Sequence, residues 1–500
     1  MLMEQTKKGI LLVSAIAFFA VCSSANAFGL GICIFALLCI ELEKAGRTIP
    51  RKEYKRFVRN FSICMCCCLL VHFYFTWIPS SKLAWIANQI HVSSSMLLLS
   101  TGLFAIIISY LFIQNDVSVL IGKGSCENCD QKRINKGTLI ICMGLAVFGI
   151  VTMSVFSLSP ELWGDEEYSL WIVEYSYRDI VKITANDVHP PLYYFILKTW
   201  ITCVQAILGA DYRVFAAKVC SIIPYVLLFL IGITTVRKRW QGTLSAIFTA
   251  AIITMPNMTH YGVEIRMYSW GMLFVTLAYM ALYNVVKKGK IINWLAFSAA
   301  SLAAAYTHYF ACVAVSGLYF VLFIWVAWKN RKDIIKWFVS AFMTFMGFLP
   351  WLTIVIKQLK SVEENYWISE IKADTVHEFF AFILDNGYLF YIMAIVVAMG
   401  IIRMMEMRLF QWEDAYWLTG ILVPFWTMAI GMGASIIVRP VFVSRYLLPS
   451  MGCFWLGLIG FAVNSSNAQI IKRLSQIVMA GGMMNLLIFA VQEIPGWMNR

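Results

Sequence analysis

Windows of roughly 18 or more nearly uncharged residues recur along this chain, the length that spans a bilayer as a helix. In hydrocarbon every backbone N–H and C=O must be paired within the chain, so such runs are restricted to helices or closed barrels, and runs this long and continuous are helical. The sequence is 60% hydrophobic over 500 residues, with a mean hydropathy of +0.74. The expected fold class is therefore an all-α polytopic membrane protein. The net charge of +13 sits in short loops rather than on one face. That is the distribution cytoplasmic anchoring requires, and nothing in it describes a nucleic-acid module.

The loop charges give a topology. Lys7-Lys8 and the basic stretch Lys44–Arg59 flank the apolar run 9–41, which is interrupted by Ser23-Ser24-Ala25-Asn26. Both flanks read as cytoplasmic, so a retained hairpin of two short helices is expected there. Segments 61–79 and 92–113 form a second pair, and the helix 137–157 then leads outward to Asp165. Downstream, Lys287–Lys290, Lys329–Lys336, Arg403–Arg408 and Lys472-Arg473 read as cytoplasmic. The loops 256–266, 306–309, 357–378 and 437–445 read as external. One conflict of parity remains. Arg237-Lys238-Arg239 reads as cytoplasmic, yet two apolar segments, 189–208 and 213–235, separate it from Asp165. Either one of the two is re-entrant, in-plane or split, or the positive-inside rule fails at this run. The total is about 13 crossings.

Fourteen cysteines, mostly within apolar helices, behave as small hydrophobes. Cys126-Glu127-Asn128-Cys129 has ligand-like spacing, but a zinc site needs two further ligands and no second pair exists. No metal site is assigned.

In so apolar a chain, the cluster Trp163-Gly164-Asp165-Glu166-Glu167-Tyr168 needs a reason. His189-Pro190-Pro191-Leu192-Tyr193-Tyr194 follows about two dozen residues later. Prolines suit the first turn of a helix, and helix N-termini attract anions, which places His189 to meet a phosphate or the acids. Asp187 is positioned to orient its ring. Between the motifs, residues 166–187 intersperse Tyr168, Trp171, Ile172, Tyr175, Ile180 and Ile183 with charged residues, a pattern for an amphipathic helix at the interface. Further external elements are Glu264-Ile265-Arg266-Met267-Tyr268, Tyr306-Thr307-His308-Tyr309, Tyr366-Trp367 and Ser444-Arg445-Tyr446.

The acid cluster followed by His-Pro-Pro resembles the first external loop of GT-C-fold glycosyltransferases that use polyprenyl-phosphate donors. The likeness is to the protein O-mannosyltransferase and aminoarabinose-transferase branch, glycosyltransferase family 39. It covers residues 137–500; residues 1–136 form an N-terminal transmembrane region of unknown role that the family does not explain. The resemblance implies a GT-C fold with interfacial juxtamembrane helices in that loop, and Asp165 as the catalytic base. Glu166 beside it either orients the acceptor, binds a divalent cation or raises the pKa of Asp165. His189, Arg266, Tyr268, His308, Trp367 and Arg445 are the expected donor-phosphate and substrate contacts. Arg266 pairs with Glu264 or phosphate, and Arg445, costly at a span entrance without an anion, binds phosphate in two-pronged fashion. A divalent cation is not demanded by any local spacing. The phosphate departs as an anion, so one carboxylate suffices and no general acid is needed.

The implied function is transfer, with inversion, of a sugar from a polyprenyl-phosphate donor to an acceptor hydroxyl on lipid, glycan or protein, at the extracytoplasmic face of a plasma membrane. A transporter or flippase of a lipid-linked sugar is the alternative. Such proteins tend to place charges at mid-span and to show repeated halves, whereas here the charges lie at span ends.

Overall fold

The computed structural model describes residues 136–255, 257–361 and 412–465, with isolated positions between 368 and 382 and between 471 and 490. They belong to one compact unit, Arg133–Asp385 with Val396–Arg500; the other unit, Met1–Lys132 with Asn386–Ile395, lies outside the described residues. So do the expected hairpins before residue 136, the Cys126–Cys129 pair and Trp367.

Among the described residues every element is helical. Seven helices are long and apolar enough to cross a membrane: Gly137–Phe156, Ala210–Trp240, Tyr268–Lys288, Tyr309–Lys329, Arg331–Gln358, Trp412–Ile437 and Ser444–Asn464. Shorter apolar helices stand beside them at Leu192–Leu208, Gly242–Thr254, Ile291–Thr307 and Leu474–Leu487. This is consistent with a polytopic membrane protein. The sequence count of about 13 includes segments outside the described residues.

We label the helices in chain order. They are α1 (Lys136–Phe156), α2 (Gly164–Ile172), α3 (Tyr177–Ala185), α4 (Leu192–Leu208), α5 (Arg213–Ile231), α6 (Gly242–Thr254) and α7 (Met258–Val263). Then come α8 (Tyr268–Lys288), α9 (Ile291–Thr307), α10 (Tyr309–Lys329), α11 (Ile334–Ser361), α12 (Trp412–Ile437) and α13 (Leu448–Ser465).

The two ends of this bundle differ in charge. At one end Lys287 pairs with Glu413 at the start of α12, Lys336 Nζ donates to Gly289 O at 3.3 Å, and Arg239 donates to Met280 O at 3.2 Å. The basic runs 237–239, 287–290 and 329–336 therefore gather together. At the other end lie Asp165, His189, Arg266, His308 and Arg445. At the lipid-free centre α12 and α13 approach backbone to backbone: a Cβ on Gly457 would sit 2.7 Å from Trp417 O and 2.8 Å from Gly420 Cα. Small residues at such crossings are how apolar helices associate where hydrophobicity alone gives no drive.

The parity conflict resolves at α4. Lys198 Nζ donates to Val173 O at 2.9 Å, and Thr199 Oγ1 meets Tyr177 OH at 2.9 Å. Arg213, opening α5, donates to Leu170 O at 2.7 Å and pairs with Glu174 at 2.8 Å. Both α4 and the start of α5 thus stay at the level of α2 and α3, and α5 alone carries the chain to the basic end. The segment that does not carry the chain to the basic end is 192–208.

The amphipathic stretch expected as one helix over 166–187 is two. Ser176 opens the second by accepting from Asp179 N at 3.2 Å, and a capped start of this kind competes with helix continuation. Ile172 and Ile180 are buried, while Trp171, Tyr175 and Tyr177 are exposed.

This arrangement predicts labelling. In a variant with its reactive cysteines replaced, Asp211→Cys and Arg178→Cys should react with an impermeant maleimide from one side of sealed vesicles. Lys288→Cys should react from the other side. Labelling of Asp211→Cys together with Lys288→Cys would make α4 a crossing helix and overturn the assignment.

Candidate active site

Asp165 is the second residue of α2, and its position follows from how that helix starts. Glu166 Oε2 accepts from Trp163 N at 3.2 Å, the reach-back contact of a capping box, and Glu166 Oε1 accepts from Ile265 N at 2.9 Å. A carboxylate that joins two distant backbone segments ties α2 to the strand of chain entering α8. Burial raises the Glu166 pKa above its ordinary value, tempered by the Ile265 N–H and the Lys218 charge. Lys218 itself lies buried within α5 and donates to Glu161 O at 2.8 Å.

Asp165 is left at the surface of this assembly, its side chain 36% exposed. Arg445 Nη2 reaches Asp165 Oδ2 at 3.2 Å, and Arg266 Nη2 reaches the same oxygen at 3.6 Å. The two guanidiniums differ in freedom. Arg266 is 3% exposed and is further fixed by Asp165 O at 3.1 Å, Ser169 Oγ at 3.3 Å and His189 Nε2 at 3.5 Å. Arg445 is more accessible, and its guanidinium lies 5.2 Å over the Trp163 ring, a cation–π contact. One carboxylate is thus shared by a fixed cation and a more accessible one. Arg266 does not pair with Glu264 as the sequence suggested; the chain turns between them, and its partner is Asp165.

Beneath the clamp the histidine rings are buried. His189 Nδ1 meets Asp187 Oδ2 at 3.2 Å. Burial lowers the pKa of His189. Burial, then the neighbouring His189, Arg266 and Arg445, lowers that of His308 well below its ordinary value. His308 caps α10, its Nδ1 accepting from Phe310 N at 3.2 Å, and its ring lies 5.9 Å from that of His189. Tyr268 is wholly buried, 5.6 Å from the His308 ring and 6.2 Å from Tyr446. Of the expected site residues, Asp165, His189, Arg266, Tyr268, His308 and Arg445 therefore come together. Glu166 is adjacent, but its carboxylate is spent on backbone N–H groups rather than turned toward the clamp. Among the described residues no three His, Cys, Asp or Glu side chains are grouped as metal ligands, so the cation option for Glu166 has no partner set there.

Glu264 is a participant that sequence reading treated only as a partner for arginine. Its Oε1 lies 3.8 Å from His260 Nε2, and its Oε2 is buried with no hydrogen-bond partner among the described residues. Burial, then the Glu166 charge, raises its pKa to about 7. Ser169 and Lys218 were not singled out either. For Lys218 the signal was present: a lysine inside an apolar run is a functional or structural flag in itself. For Ser169 none was, since a serine on an amphipathic helix is ordinary.

Comparison with protein-family models, with curated proteins and with solved structures finds no match.

The buried Glu264 predicts a pH dependence of stability. Its folded pKa of about 7 lies above the ordinary 4.5, so the folded state holds more protons across that window. Stability present below about pH 4.5 is lost as pH rises through about 7. Glu264→Gln removes the ionisation. Its melting temperature should match wild type near pH 5 and exceed it at pH 8, by the equivalent of about 1–3 kcal/mol. Parallel melting curves for the two proteins from pH 5 to 8 would show that Glu264 does not carry this term.

Proposed function

We propose that the protein is an integral membrane glycosyltransferase. It moves a sugar from a polyprenyl phosphate to an acceptor hydroxyl with inversion, at the extracytoplasmic face of a plasma membrane, on a GT-C-like scaffold. The observation that carries this reading is Asp165 Oδ2 held between Arg445 at 3.2 Å and Arg266 at 3.6 Å. A base and two anion-binding cations at one point are what the transfer needs. The basic runs at the opposite end support this sidedness, since the positive-inside rule assigns such runs to the cytoplasm. In this scheme α2 and α3 are the interfacial helices, and their exposed Trp171, Tyr175 and Tyr177 sit at headgroup depth.

The chemistry then runs as follows. The donor phosphate enters beside the clamp, and Arg445, the accessible cation, turns from Asp165 to the phosphate. Oδ2 is freed and takes the proton of the acceptor hydroxyl. The acceptor oxygen bonds to the anomeric carbon as the bond to the phosphate oxygen breaks on the opposite face. The phosphate leaves with both bonding electrons, held by Arg445, while Arg266 stays on Asp165. Charge-assisted contacts of this kind are the stronger class of hydrogen bond. The placement of the charges at one end of the bundle supports chemistry there rather than passage of a substrate through mid-span.

Two measurements test this. Asp165→Asn keeps size but removes the base, and turnover of a polyprenyl-phosphate sugar should fall about a hundredfold or more, with donor affinity little changed. Near wild-type turnover would exclude Asp165 as the base. Arg445→Ala should weaken binding of polyprenyl phosphate itself by about tenfold or more, and Arg445→Lys should restore it only in part because the planar fork is lost. Unchanged affinity in Arg445→Ala would remove Arg445 from the phosphate site.

A further inference from the structure

The buried face of the clamp has its own hydrogen-bond logic. A guanidinium has N–H donors and no acceptor. Arg266 Nη2 lies 3.5 Å from His189 Nε2, a long contact whose sign is nonetheless determined: the ring nitrogen facing a cationic donor must present its lone pair. On the far side of the ring, Nδ1 lies 3.2 Å from the Asp187 carboxylate, an acceptor, so Nδ1 must carry the proton. A neutral imidazole has one N–H and one lone pair, and a single tautomer satisfies both contacts. We infer that Asp187 and His189 are positioning residues: Asp187 fixes His189 as the Nδ1–H tautomer, and His189 Nε2 then holds Arg266 in the orientation from which Arg266 holds Asp165.

The surroundings agree with this assignment. The groups that face His189 are Asp187, Arg266, Asp165 and His308. Burial lowers the His189 pKa and outweighs the opposing hydrogen bond to Asp187, with the Arg266 charge acting in the same direction as burial. Burial acts to raise Asp187, but its hydrogen bond to the His189 ring, the Val188 N–H and the Arg266 charge work against burial, and the carboxyl lies below its ordinary value. Both directions favour a carboxylate beside a neutral ring. The other partners of Arg266 are also acceptors, namely Asp165 O, Ser169 Oγ and Asp165 Oδ2. Without the His189 lone pair, Nη2 keeps only the carboxylate at 3.6 Å. His189 in this role has both ring nitrogens committed and no charge to offer, which differs from the direct phosphate contact expected of it from sequence. Its contribution reaches the reaction through Arg266.

This inference rests on Asp165 being the base, and its test separates the two claims. Gln at position 189 can present its carbonyl oxygen where Nε2 lies and its amide N–H₂ toward Asp187. Lys presents a second cation to Arg266, but would serve a phosphate well. His189→Gln should keep kcat within about threefold of wild type, and His189→Lys should lose about tenfold or more in kcat with donor KM little changed, as for a misoriented site. A His189→Lys enzyme more active than His189→Gln would overturn the positioning role in favour of direct phosphate binding. The second measurement needs no substrate: ¹⁵N spectra of histidine-labelled full-length protein, with His189→Gln to assign the resonance. His189 is expected as the neutral Nδ1–H form at pH 7. An Nε2–H or doubly protonated ring overturns the inference even if every variant is active. If wild type transfers no sugar from any polyprenyl-phosphate donor, the glycosyltransferase reading fails, and the ¹⁵N result still decides the tautomer.

Discussion

The carboxylate of Asp165 shared between Arg266 and Arg445 is the interaction on which the rest of this end of the molecule depends. It joins the starts of three helices, α2, α8 and α13, whose residues are separated by 280 positions between Asp165 and Arg445. Removing Asp165 leaves two guanidiniums facing each other without the carboxylate they share, which is the costly side of a buried ion pair. For Arg266, 3% exposed, that cost would be severe. The clamp is therefore an architectural tie between these helix starts. An incoming anion can replace Asp165 at the accessible guanidinium without leaving it unpaired.

Asymmetry between the two arginines gives the clamp a direction. Arg266 is surrounded by acceptors that do not move independently: a backbone carbonyl, the Ser169 hydroxyl on the same helix as Asp165, and a histidine locked by Asp187. Arg445 rests against an indole face, a contact that tolerates sliding. An anion arriving from the exposed side would meet the cation that is freer to reorganise, while the fixed one holds Asp165 in place. Glu166 supports this by anchoring α2 to Ile265, one residue before Arg266. The backbone tie thus keeps Asp165 and Arg266 in register whatever Arg445 does.

How much of this was legible in the sequence depends on which physics wrote it. Helical spans follow from hydrocarbon length and backbone pairing, so α1, α8 and α10 appear close to where the apolar runs place them. The convergence of Asp165, His189, Arg266, His308 and Arg445 was legible for a related reason: a charge at a span end is costly without a partner, and all five sat at ends assigned by loop charge to one side. Glu166 was not legible as a latch, because its partners are backbone N–H groups, and any residue supplies those. Nor was the break at Ser176. It turns on a local capping contact competing with helix continuation, and the hydrophobic period alone carries across it.

The α4 segment shows why charge counting alone stops short. Its apolar composition is that of a span, and nothing in the residues 192–208 distinguishes a crossing helix from one lying in the plane. The distinction is made by polar contacts at its flank and beyond its end: Lys198 to Val173 O, Thr199 to Tyr177, and Arg213 to Leu170 O. Those contacts reach into α2 and α3, the elements that present and brace the acid. Had α4 crossed, His189 and Arg213 would lie at opposite ends of the bundle, and α5 would run the wrong way to deliver Lys218 toward Glu166. The same placement that repairs the parity of the topology therefore assembles the buried side of the site, and a single geometric choice accounts for both.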